Sequence, residues 1–358
     1  MRPLFIRVDA NAQIGSGHVM RCVALAQAWQ AAAGPATFLV SDTSAAMRER
    51  IKAYGFGVKK LSAQTGSRND AEQTAAAAGD GSSAWLVVDG YRFDAAYQNA
   101  LKNMGKKVLV IDDCGHADLY VADLVLNQNI HADDTLYVNR GSGTSLLLGP
   151  RYVMLRQEFN RWRGHRRNAS PVVHKLMVTL GGADPENITA RVLKTICGLG
   201  WEGLQTKVVV GADNPHYNSL QAVVDESGAR VHLVRDAKDM PALMEWADAA
   251  VTAGGSTCYE MSFMGLPSVV LVFADNQRPV AEGLDRYGAV INLGSYQTAS
   301  TEQLITAICD LALHSSMREA MIQKGQRLID GKGSDRVVST MLSAVSAPHQ
   351  TIAQECAG

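Results

Sequence analysis

His18 is the residue best placed to do chemistry. It follows the turn Gly15-Ser16-Gly17 in "IGSGHVMR" (14–21), directly after the apolar run "LFIRVDAN". An apolar-periodic stretch begins at the same point, so the spacing predicts a strand, a tight turn and a histidine in the first turn of a helix. The positive end of a helix favours a neutral imidazole, which can take a proton near neutral pH. The position equally suits a histidine that caps or bridges its own loop, and spacing does not decide between the two. Cofactor loops are excluded here. A dinucleotide fingerprint needs glycine where Met20 stands, and no glycine-lysine-serine/threonine follows for a P-loop. Arg21, one turn on, is a cation for a ligand, a solvated charge or half of an ion pair.

A second constellation is "TAGGSTCYE" (252–260). A strand runs into Gly254-Gly255, then Ser256 and Thr257 open a helix. Backbone N–H groups and two hydroxyls at a helix N-terminus suit a diphosphate. Glu260, a turn in, can accept from both hydroxyls of a ribose. The competing reading is a capping box, with Glu260 bonding back to the cap. "VTLGGADPENIT" (178–189) repeats the strand and glycine pair with Gly181 and Gly182, either to close over a phosphate or nucleoside or merely to turn the chain. In "FADNQRP" (273–279), Asp275, Asn276 and Gln277 end an apolar run where they can hydrogen-bond a sugar, or make a capped turn. "VVDGY" (87–91) and "IDDCGH" (111–116) end two further runs in polar residues, among them Asp89 and Tyr91. There is no D-x-D for a metal-clamped diphosphate, no His/Cys/Asp cluster with ligand spacing and no G-x-S-x-G elbow, so neither a metal nor a cofactor is expected.

The elements that must position these residues follow one pattern. Short apolar runs at 4–8, 36–40, 85–89, 107–111, 123–127 and 145–149 alternate with helix-length segments such as 18–34. The pattern restarts at 175–180, 207–211, 230–234, 248–253 and 267–273. Continuous apolar strands separated by helices predict parallel sheets buried on both faces. The fold class expected is α/β, with two tandem Rossmann-like, doubly wound domains facing a central cleft. Residues 1–155 form the first domain, the basic stretch 156–171 a solvated linker, 172–346 the second domain and 347–358 a frayed tail. Ligands bind such domains at the carboxyl ends of the strands.

The 358 residues are 47% hydrophobic and 19% charged, and 34 Lys+Arg balance 35 Asp+Glu, so nothing draws the chain to nucleic acid or an acidic membrane. Six cysteines without C-x-x-C spacing fit a reducing compartment. With no signal-like or bilayer-length apolar segment, a soluble cytoplasmic protein is expected.

In their order along the chain, "RVDANAQIGSGHVMRC", "VVDGY", "LNQN", "LGPRYVMLRQEF", "LGGADPEN", "TAGGSTCYE" and "ADNQ" resemble the UDP-2,4-diacetamido-2,4,6-trideoxy-β-L-altropyranose hydrolases of pseudaminic acid biosynthesis. The resemblance covers residues up to about 290. It implies a glycosyltransferase-B (GT-B) architecture and a metal-independent, inverting cleavage of a UDP-linked 6-deoxy sugar by water. It makes His18 the base on water, with Tyr91 and Asn276 lining the sugar. Gly254, Gly255, Ser256, Thr257 and Glu260 hold UDP, with the uracil near the backbone around Val234. Gly15, Ser16, Gly17, Arg21, Gly181, Gly182 and Gln277 complete the expected substrate contacts of a monomer. The same cleft also serves a transferase with a sugar acceptor, or a non-catalytic nucleotide-sugar-binding module.

Overall fold

A computed structural model of the chain describes residues 2–11, 16–79, 84–182, 184–212, 214–227 and 230–346. Gly15 and the tail 347–358 lie outside the described residues. The first sheet contains β1 (Leu4–Val8), β2 (Ala36–Val40), β3 (Gly57–Lys60), β4 (Trp85–Asp89), β5 (Lys107–Ile111), β6 (Leu124–Asn127) and β7 (Ser145–Leu148). Its order is β3-β2-β1-β4-β5-β6-β7, and every pairing is parallel. Around it lie α1 (Gly17–Ala32), α2 (Ala45–Ala53), α3 (Arg68–Ala77) and α4 (Ala95–Asn103). The second sheet contains β8 (Lys175–Thr179), β9 (Gln205–Val210), β10 (Val231–Arg235), β11 (Ala249–Ala253), β12 (Ser268–Val272) and β13 (Ile291–Ser295). Its order is β10-β9-β8-β11-β12-β13, again all parallel. It carries α5 (Ile188–Gly198), α6 (Tyr217–Glu226), α7 (Met240–Trp246), α8 (Thr257–Met264), α9 (Arg278–Tyr287), α10 (Thr301–Leu313) and α11 (Ser315–Leu328).

The expected two doubly wound α/β domains are therefore present. The apolar runs are strands because helices cover both of their faces: β4, β11 and β12 are buried along their whole length. β3 and β13 had no counterpart in the sequence reading. Both are edge strands, "GVKK" and "INLGS", without a continuous apolar run.

Register fixes what the strand ends can share. Val8 pairs with Asp89, and Asp89 with Ile111, so the segments leaving β1, β4 and β5 emerge side by side. Strand order reverses between β1 and β4 in one sheet and between β8 and β11 in the other. Such switch points open a crevice at the carboxyl ends of the strands.

Two expectations are corrected by packing. The last helix, α12 (Gly333–Ser346), was assigned to the second domain, but it packs on the first. Val337, Val338 and Met341 join the core beside α1, and Trp85 Nε1 donates to the Met341 carbonyl at 3.1 Å. The stretch 156–171 is not a solvated linker. Phe159 is buried, and the Arg167 guanidinium donates to the carbonyls of Met244, Ala247 and Met264 at the ends of α7 and α8. Arg156 likewise ends on the carboxylates of Glu158 and Glu260, and matching each buried guanidinium to carboxylates or helix-end carbonyls makes its burial tolerable. No helix among the described residues is long and apolar enough to cross a membrane.

Candidate functional site

His18 stands in the first turn of α1, at the switch point of the first sheet. Its Nδ1 lies 2.5 Å from Asp89 Oδ1. An ionised carboxylate only accepts, so Nδ1 carries the proton and Nε2 is left with a lone pair. Among the described residues nothing hydrogen-bonds to Nε2. Arg21 Nη2 also approaches Nδ1, at 3.0 Å, but both atoms are donors held to the same carboxylate.

Arg21 settles as an ion pair. Nε and Nη2 donate to the two Asp89 oxygens at 2.7 and 2.6 Å, and Nη1 and Nη2 to those of Asp113 at 2.6 and 3.1 Å. A guanidinium occupied by two buried carboxylates has little left for a substrate. Burial opposes the charge on both acids, but Arg21 and His18 outweigh it and hold both carboxyls below their usual range.

Tyr91 leads out from β4 and touches His18 edge to face, with centroids 5.4 Å apart. Its hydroxyl donates to Asp113 Oδ2 at 3.1 Å and accepts from Asn276 Nδ2 at 2.9 Å. Burial, then the Asp113 charge, push the phenol well above its ordinary value, so it stays protonated. On the far side of Tyr91 lies His116, 5.7 Å away, with its Nδ1 paired to Asp112. Asn276 comes from the other domain, in a single 3₁₀ turn after β12. His18, Tyr91 and Asn276, far apart in sequence, thus meet across the cleft.

The second domain presents backbone instead of charge. Ser256 caps α8 without a side-chain hydrogen bond to the helix, so the capping box is not formed, and among the described residues its hydroxyl has no hydrogen-bond partner. Ser256 Oγ faces Gly17 and Ser16 Oγ faces Gly182, so the N-termini of α1 and α8 confront each other. Two helix N-termini in one gap favour an anion. Gly254 packs under Gln277 and Ala281, whereas Gly255 has open space where a Cβ would stand. Gly181 has a positive φ of 95°, and Gly211 donates to the Gly182 carbonyl at 3.2 Å. Val234 is a half-buried residue near the end of β10. Gln277 turns inward, its Oε1 accepting from the Phe273 N–H at 3.0 Å. Thr257 opens α8, and Glu260 in its first turn accepts from Arg156 Nη2 at 3.0 Å. Beside these loops a cleft of about 650 Å³ runs between α2 and the second domain, with Ser16, Arg50, Gly182, Gly211 and Asp236 among its walls. Arg50 and Asp236 pair across it at 3.2 Å.

Three residues escaped assignment from sequence. Asp89 and Asp113 were seen only as strand ends, and Asn129 only within a motif. Asn129 Nδ2 donates to Asp113 Oδ1 at 2.8 Å and its Oδ1 accepts from the Tyr259 hydroxyl of α8 at 3.3 Å, tying the charge network to the second domain. Acids at the ends of the buried strands β4 and β5 were the available signal.

Two parallel, doubly wound sheets opening on one cleft at their switch points make a GT-B fold. Residues 176–336 match the family model of the glycosyltransferase family 28 C-terminal domain. The chain is homologous to the spore coat polysaccharide biosynthesis protein SpsG of Bacillus subtilis (strain 168), at 26% identity over 236 residues, 66% of this chain and 69% of that protein. The uncharacterized protein MJ1062 of Methanocaldococcus jannaschii is 22% identical over 279 residues, 76% of this chain; the match spans only 56% of that relative. Acinetobacter baumannii MurG shares the fold with a TM-score of 0.63 at 14% identity, over 95% of this chain and 99% of its own. A S. aureus MnaA–UDP co-structure does so with a TM-score of 0.66 at 13% identity, over 97% of each.

Proposed function

We propose that this protein is a hydrolase that removes UDP from UDP-2,4-diacetamido-2,4,6-trideoxy-β-L-altropyranose, a step of pseudaminic acid biosynthesis, acting as a cytoplasmic monomer. The diphosphate lies at the N-terminus of α8 on Gly254, Gly255, Ser256 and Thr257, with Gly181, Gly182, Ser16 and Gly17 closing over it. Glu260 accepts from the ribose, and the uracil lies along the backbone at Val234. The sugar sits against Tyr91 and Asn276. Water attacks C1 while His18 Nε2 takes one of its protons. The bond from C1 to the β-phosphate oxygen breaks, and UDP leaves with the electron pair. One base facing the departing group inverts the anomeric centre. The facing helix ends meet the charge that develops on UDP, the role a metal has elsewhere.

The observation that carries this reading is the commitment of His18 Nδ1 to Asp89, which leaves Nε2 as the base. The motif resemblance supports the choice of substrate. The homology to a protein named for polysaccharide biosynthesis and the fold shared with a UDP-bound neighbour support the coarser reading of a UDP-sugar as ligand.

The test is incubation of the purified protein with the UDP-sugar alone. Release of UDP and free sugar without any acceptor is the expected result. Strict dependence on a sugar acceptor overturns it in favour of a transferase, and binding without turnover favours a binding module.

A further inference from the structure

Arg156 lies on the segment between the domains, and its side chain is buried. Its guanidinium reaches Glu260 Oε1 at 3.0 Å and Glu158 Oε1 at 3.2 Å, above the Phe159 ring. Two carboxylates share the Arg156 guanidinium, and Arg50 adds only a weaker attraction from α2. Glu260 Oε2 takes no hydrogen bond from any described residue, and the side chain keeps 14% of its surface exposed.

We propose that Arg156 is a positioning residue for nucleotide binding: it holds Glu260 as an ionised acceptor for the ribose hydroxyls of UDP. The segment joining the domains thereby sets nucleotide affinity. This rests on the assignment of the α8 N-terminus to UDP. Charge supports it. The groups facing Glu260 are Arg156 and Glu158 from the joining segment, Arg50 from α2 and Cys258 on its own helix. Burial pushes the Glu260 carboxyl up, Arg156 draws it back and Glu158 adds to the rise. Without Arg156 the carboxyl keeps its proton to higher pH and stops accepting from two hydroxyls.

The experiment is calorimetric titration of the full-length chain with UDP and with 2′,3′-dideoxy-UDP. The wild type should prefer UDP by about tenfold or more, the worth of a charge-assisted hydrogen bond. Arg156→Gln should lose that preference while binding the dideoxy nucleotide as before, and should regain it as the pH is raised. Equal weakening toward both nucleotides, or an intact preference, overturns the proposal. Glu158→Gln removes the competing carboxylate and should carry the preference to lower pH than in the wild type; an unchanged limit overturns it even if Arg156→Gln does not fold. A wild type that fails to bind UDP removes the nucleotide assignment itself, and the proposal with it. UDP binding with a wild-type-like Arg156→Gln defeats the proposal alone.

Discussion

The two walls of the cleft are built from different materials. The first domain presents a buried chain of charge: His18, Asp89, Arg21 and Asp113, with Tyr91 on top. The second presents glycines, a serine and a helix end, with its one acid in the first turn of α8, Glu260, already neutralised by Arg156. A proton must be moved by a side chain whose tautomer is fixed, and fixing it takes buried partners. An anion is bound well enough by backbone N–H groups that hold their place without side-chain charge. On the proposed function the contrast is a division of labour: the first wall carries the base and closes over the diphosphate with Ser16 and Gly17, and the second wall binds it.

The sharpest way to break that division is His18→Gln. It should lower kcat by about 10²–10⁴-fold, the usual worth of a general base, and leave UDP affinity within about twofold. A parallel loss of UDP affinity, read by calorimetry, would mean that His18 itself holds the nucleotide.

Asp113→Asn comes next, because it leaves Arg21 short of a partner inside the domain. Breaking a buried pair in this way costs about 3–5 kcal/mol, visible as a fall in Tm at neutral pH. The sign with pH follows from linkage. The folded Asp113 carboxyl sits below its ordinary 3.8, so its contribution is complete above that value and drains as pH falls beneath it. The Tm gap between wild type and variant should therefore narrow below about pH 4. A gap that stays constant into acid would show that the carboxylate charge is not what Arg21 needs.

A smaller effect is expected on the second wall. A Cβ on Gly255 meets nothing within 4 Å, and the residue is not among those with positive φ. Gly255→Ala should thus leave Tm unchanged or raise it slightly, by about 0.4–1 kcal/mol of stability. The same methyl would stand where the diphosphate approaches, so UDP should bind about tenfold more weakly. Unchanged UDP affinity would take the diphosphate away from this loop. Gly211→Ala is the contrast: its Cβ would fall 2.5 Å from the Gly182 carbonyl oxygen, so it must disturb the fold itself, seen as a lower Tm.

Most of the architecture was legible in the sequence because parallel strands buried on both faces read as unbroken apolar runs. β3 and β13 were not, since an edge strand needs no such run. The glycine motifs pointed to the cleft through turn chemistry that is local. The Asp89–His18 pair was not legible, because it joins residues 71 positions apart and depends on β1 lying beside β4. Arg21 was open among three uses for the same reason: its two carboxylates arrive from β4 and from just past β5. The α12 helix gave an apolar face but no sign of which domain it covers; only the core around α1 decides that.

The central claim is that water, activated at His18, attacks the sugar carbon. It is tested most directly by turnover of the UDP-sugar in ¹⁸O-enriched water, following isotope and anomer together by NMR and mass spectrometry. Attack by water at C1 puts ¹⁸O on the anomeric oxygen of the released sugar, leaves UDP unlabelled, and gives a first-formed anomer opposite in configuration to the substrate. Label in the UDP phosphate, or a first product that retains configuration, would contradict it.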